Sequence, residues 1–129
     1  MKTGVFLTAF SIVALSVFLV YTRFTDFNHN ISISVNEDEE TYAFAATYNR
    51  ANTGAVESYI NSKIRPNQLG DTPDDYIDVN TSLPDGTRFY IKESPGRLKI
   101  KLDKRTNSVS SYYRIKKMCE GLKPLIAGR

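Results

Sequence analysis

Apolar positions fall into three rhythms along the chain. From Gly4 to Tyr21 they are nearly continuous, eighteen residues with no charge, diluted by Thr8, Ser11 and Ser16. At the rise of a helix the run spans about 27 Å, close to the roughly 30 Å hydrocarbon core of a bilayer. From Ile31 the rhythm becomes strict alternation: Ile31-Ser32-Ile33-Ser34-Val35 predicts a strand with one buried face. After the acidic turn 36–40, Thr41–Tyr48 places Tyr42, Phe44, Ala46 and Tyr48 on one side and closes a hairpin. A third rhythm, near 3.6 residues, follows Asn52-Thr53 as a cap. There Val56, Tyr59, Ile60 and Ile64 predict a helix ending near Pro66.

Beyond the loop 67–75, alternation returns in Tyr76–Ser82, Thr87–Glu93 and Arg97–Asp103. Leu83-Pro84-Asp85-Gly86 and Ser94-Pro95-Gly96 mark the turns between them. A last helix, capped by Asn107 or Ser108, carries Val109, Tyr112, Ile115, Met118, Cys119 and Leu122 and fades at Gly121 and Pro124. The order β-β-α-β-β-β-α with hairpin-length links predicts an α+β domain, an antiparallel five-stranded sheet with two helices on one face. The chain divides into an N-terminal membrane anchor (1–23), a short linker (24–30), a single domain (31–125) and a tail (126–129). A domain of about a hundred residues is of ordinary size, and eight Tyr and seven Phe in the chain suffice for its core.

The apolar run has two readings. Ala14-Leu15-Ser16 could serve as the cleavage site of a secretory signal, which would leave a secreted or periplasmic protein. Val17–Tyr21 carries the apolar run straight past that site, which favours an uncleaved single-pass anchor. Lys2 and the α-amino group against Arg23 and Asp26 lean towards an extracytoplasmic domain. Gly4, Thr8 and Ser11 share one helical face and form a candidate docking stripe for another transmembrane helix.

Charge changes the picture of the sheet. Residues 87–129 hold twelve Lys/Arg against three Asp/Glu, +9, whereas 24–86 hold three against eleven, −8. Such asymmetry marks an interaction surface or an anionic partner. In Arg97–Leu102 the apolar residues point one way and Arg97, Lys99 and Lys101 the other. Arg88, Tyr90 and Lys92 join that side if the two strands pair through the Pro-Gly turn. Ser32, Ser34, Thr41, Ala43, Ala45 and Thr47 complete a small, polar surface.

Catalytic constellations are scarce. His29 is the one histidine and lies in the linker; Cys119 falls in the apolar stripe of the last helix. Asp71, Asp74, Asp75 and Asp78 cluster without the spacing of an EF-hand loop. No catalytic, cofactor-binding or metal-ligating set emerges, and no enzyme is expected. The sequence therefore leads to a small membrane-anchored accessory or assembly protein that acts through protein–protein contacts, within a larger membrane complex. The alternative is a tethered module that binds an anionic ligand (lipid headgroup, polyanionic glycan or nucleic acid) on Arg88, Tyr90, Lys92, Arg97, Lys99 and Lys101. Nucleic acid is the weakest of these ligands, because sheet-borne base stacking needs several exposed rings and only Tyr90 and Tyr76 are candidates.

Overall fold

The structure, a computed structural model, describes residues 22–24, 31–70 and 75–127. The strands are β1 (Thr22–Phe24), β2 (Ile31–Glu37), β3 (Thr41–Thr47), β4 (Ile77–Ser82), β5 (Arg88–Ser94) and β6 (Arg97–Asp103). The helices are α1 (Thr53–Lys63) and α2 (Val109–Ile126). All neighbours pair antiparallel in the order β1-β2-β3-β6-β5-β4. The five expected strands are therefore contiguous, and the protein is α+β. One further strand extends the sheet at its start. This sixth strand, β1, occupies residues expected to end the anchor and begin the linker. Thr22–Phe24 pairs with Ile31–Ile33 at the outer edge of β2. Gly4, Thr8 and Ser11 lie outside the described residues, as do His29, Asp71 and Asp74.

Strand alternation decides which side of the sheet is dry. Ile31, Ile33, Val35, Tyr42, Phe44, Ala46, Phe89, Ile91, Leu98, Ile100 and Leu102 are buried on one face. Val56, Ile60 and Ile64 of α1 and Ile115, Met118, Cys119, Leu122 and Ile126 of α2 belong to the same core cluster, so both helices cover that face. Val109, expected in the core stripe of α2, is exposed because it occupies the first turn, beyond the sheet's cover. The helices approach closely at Gly121, where a Cβ would collide with the Tyr59 hydroxyl.

Local chemistry places the ends of the elements. The Asp38 side chain accepts from Glu40 N and Thr41 N, both at 2.8 Å, and ties the β2–β3 turn. Gly96, at φ 80°, turns β5 into β6, and a Cβ there would lie 2.9 Å from the Tyr48 carbonyl oxygen. Asn52 does not cap α1 through its side chain. A 3-10 turn, Arg50–Asn52, precedes the helix, held by the Asn49 side chain accepting from Ala51 N at 2.9 Å. Thr53 instead accepts Gly96 N at 2.9 Å, which fastens α1 to the β5–β6 turn. Ser108 does cap α2, accepting Ser111 N at 3.0 Å. The helix runs past the expected fade at Gly121 and Pro124 to a fully buried Ile126.

Candidate binding face

Among the described residues no helix lies on the second face of the sheet. Register lays its side chains out in rows across the strands. One row holds Asn36, Ala43, Lys101, Tyr90 and Asn80; the next holds Ser34, Ala45, Lys99, Lys92 and Asp78. A third holds Ser32, Thr47, Arg97 and Ser94. Arg97, Lys99 and Lys101 repeat every second residue along β6, about 6.7 Å apart. All six residues expected on the cationic side are thus brought together by β5 and β6.

Arg88, Lys92, Arg97, Lys99 and Lys101 are exposed, and among the described residues none lies within ion-pair distance of a carboxylate. Lys92 sits directly opposite Lys99. Like charges so placed repel each other across β5 and β6, an effect that Asp78, opposite Lys92 on its other side, offsets in part. Two acids temper the surface. Asp103 is paired with Arg105 at 3.1 Å, and that hydrogen bond holds its carboxyl below the ordinary value. Asp78 lies opposite Lys92 in register and, close to Tyr90, raises its phenol.

Two shallow troughs cross the face. One, of about 460 Å³, has Ser32, Ser34, Thr47 and Ser94 hydroxyls on its floor and Lys92, Arg97 and Lys99 at its wall. The other, of about 470 Å³, is lined by Arg88, Tyr90, Lys101, Arg105 and the β4 residues 80–82. Hydroxyl and cationic donors converging on one depression suit an anionic group. Asn107 fixes the end of β5 by accepting Arg88 N at 2.8 Å and donating to Arg88 O at 3.0 Å. Ser32, Ser34 and Thr47 stand on this face as the alternation predicts, whereas Ser94 and Arg105 join the troughs without a sequence signal, Ser94 at the Pro-Gly turn and Arg105 beyond the end of β6.

The other singled-out residues lie elsewhere. Cys119 is fully buried in α2. Asp78 lies in register opposite Lys92 on the open face, and among the described residues no three His, Cys, Asp or Glu are grouped to hold a metal ion. Nor is any helix among the described residues long and apolar enough to cross a membrane. Comparison of the chain with family models, curated proteins and solved structures found no match.

Proposed function

We propose that the chain is a non-catalytic accessory protein, tethered to a membrane by Gly4–Tyr21, that docks an acidic surface of a partner protein on its open sheet face. The observation that carries this reading is the set of five exposed cations on β5 and β6 without ion-pair partners among the described residues. A surface that repels itself in the free protein is relieved when a partner supplies the missing charge. The strip of Ala43, Ala45, Ser32, Ser34 and Thr47 beside it is low, which lets a partner approach the strands closely. A second reading, an anionic ligand rather than an acidic protein, is favoured by the hydroxyl floor beneath Lys92, Arg97 and Lys99.

The test is extraction of the full-length chain in mild detergent, wild type beside Lys92→Glu/Lys99→Glu. The wild type is expected in an assembly larger than the chain, dissociated by salt, with the double variant released as a monomer of unchanged thermal midpoint. A wild-type monomer that is retained on a polyanion column, in a salt-dependent way, transfers the assignment to the anionic ligand. A salt-resistant assembly indifferent to the double reversal overturns the role of this face.

A further inference from the structure

Two carboxyl groups lie on the dry side of the sheet. Glu93 continues the inward alternation Phe89, Ile91, Glu93 of β5 and is 1% exposed. Glu57 shares the inward stripe of α1 with Thr53, Val56 and Ile60 and is 6% exposed. Neither oxygen of Glu93, nor Oε2 of Glu57, has a protein hydrogen-bond donor. An ionised carboxylate buried without a donor is strongly disfavoured, and such groups take up a proton instead. One proton suffices for two adjacent carboxyls, since the protonated one becomes a donor and the other its acceptor.

Among the described residues no cation forms an ion pair with either carboxyl. Glu93 faces Glu57 from α1 and Asp75 from the loop before β4; burial first, then the neighbouring Glu57 carboxyl, then the charge of Asp75, push it up to about 8. Tyr48, at the end of β3, faces the pair with a buried hydroxyl that has no partner. Burial, and then the charges of Glu93 and Glu57, raise that phenol well above its ordinary value, so it stays neutral and adds no positive charge.

We propose that Glu57 and Glu93 hold one proton between them, and that its loss in mildly alkaline solution unlatches α1 from the sheet. With the proton gone, two negative charges oppose each other between β5 and α1. The strand is fixed in the sheet on both sides, by β4 and β6. The helix is the movable member, held at its start by the bond from Gly96 N to Thr53 Oγ1 and beyond its end by that from Leu69 N to Asn61 Oδ1.

The sign follows from linkage. Glu93 binds its proton more tightly when folded, at about 8, than at the ordinary 4.5 of the unfolded chain, so folding takes up a proton between these values. The stabilising effect is full at and below the unfolded value and disappears as pH rises through the folded one. The folded-to-unfolded ratio therefore falls about tenfold per pH unit across that window and then levels off.

Chemical denaturation of the full-length chain from about pH 5 to about pH 9 tests this, with Glu93→Gln and Glu57→Gln alongside. Wild type is expected to lose stability across the window. Glu93→Gln removes the slope and is the more stable protein at the alkaline end. Glu57→Gln moves the fall to lower pH, because its amide donates to the Glu93 carboxylate. Hydrogen exchange in the wild type at the alkaline end is expected to open α1 before α2. A flat wild-type profile, or a slope that survives in Glu93→Gln, overturns the shared proton; uniform loss of protection overturns the unlatching. Should Glu93→Gln fail to fold, the wild-type infrared band of a protonated carboxyl decides. It must be present at neutral pH and vanish on alkalinisation, and its absence at neutral pH overturns the proposal.

Discussion

Cys119 has no exposed surface, and burial pushes its thiol up to about 12, outweighing the lowering influence of the nearby Tyr42. Only the thiolate is nucleophilic, so a shift from 9 to about 12 reduces the reactive fraction about a thousandfold before steric shielding is added. A thiol reagent is accordingly expected to label Cys119 at least a thousandfold more slowly in the folded protein than in denaturant, read from the absorbance of the released chromophore. Rapid labelling under native conditions would show that α2 opens far more often than its packing implies. Position in the stripe of α2 made this residue legible in advance: Ile115, Met118, Cys119 and Leu122 recur on one face. Glu93 obeys the same kind of periodicity, yet its charge argues against an inward role. The pattern placed it inside, and the expectation that carboxylates face water argued the other way. Resolution of that conflict needed Glu57, thirty-six positions away in the sequence and on another element.

At the scale of elements, five strands were legible to within a residue or two because alternation and Pro-Gly turn chemistry act locally. The lysine and arginine positions of the open face followed from the same alternation. Helix ends were less legible, since their caps are settled by what folds against them. Asn52-Thr53 resembles a cap in sequence, but Thr53 is drawn to Gly96 and a 3-10 turn starts the helix. Strand β1 was invisible because three residues carry no period, and pairing with β2 is what defines it. At α2 the cap is as expected and its contribution can be measured. Ser108 Oγ accepts Ser111 N and donates to Ser111 Oγ, which in turn accepts the buried Thr87 hydroxyl at 2.8 Å. Ser108→Ala is expected to lower stability by about 1 kcal/mol in urea denaturation, the usual worth of an N-cap. Loss of well under half that amount would mean that water or Asn107 replaces the hydroxyl.

Across the whole molecule, stability is bounded by a different carboxylate on each side of the pH scale. Glu37, at the end of β2, joins three elements: it accepts from Lys104 Nζ at 2.8 Å and from the Tyr112 hydroxyl, with Lys116 nearby at 3.8 Å. Burial alone would raise its pKa, but the bonds from Lys104 and Tyr112, with the charges of Lys104 and Lys116, outweigh this and lower it. A lowered folded value contributes stability that is present above the unfolded value of 4.5 and is lost as pH falls through the folded one. Glu37→Gln is therefore expected to weaken the protein by about 1–3 kcal/mol at neutral pH and hardly at all in strong acid, read from denaturation midpoints at the two pH values. An equal loss at both would assign the effect to shape rather than charge. Combined with the rising penalty at Glu93, this places the stability maximum in mildly acidic solution, near pH 5. The open face takes no part in that balance. Among the described residues its five cations form no ion pair, and Lys92 and Lys99 stand opposite each other across their strands. Replacement of these exposed cations is therefore expected to cost the fold little. Selection on foldability alone would let the lysines drift away, and their persistence in a population of related chains would be a direct record of whatever they bind.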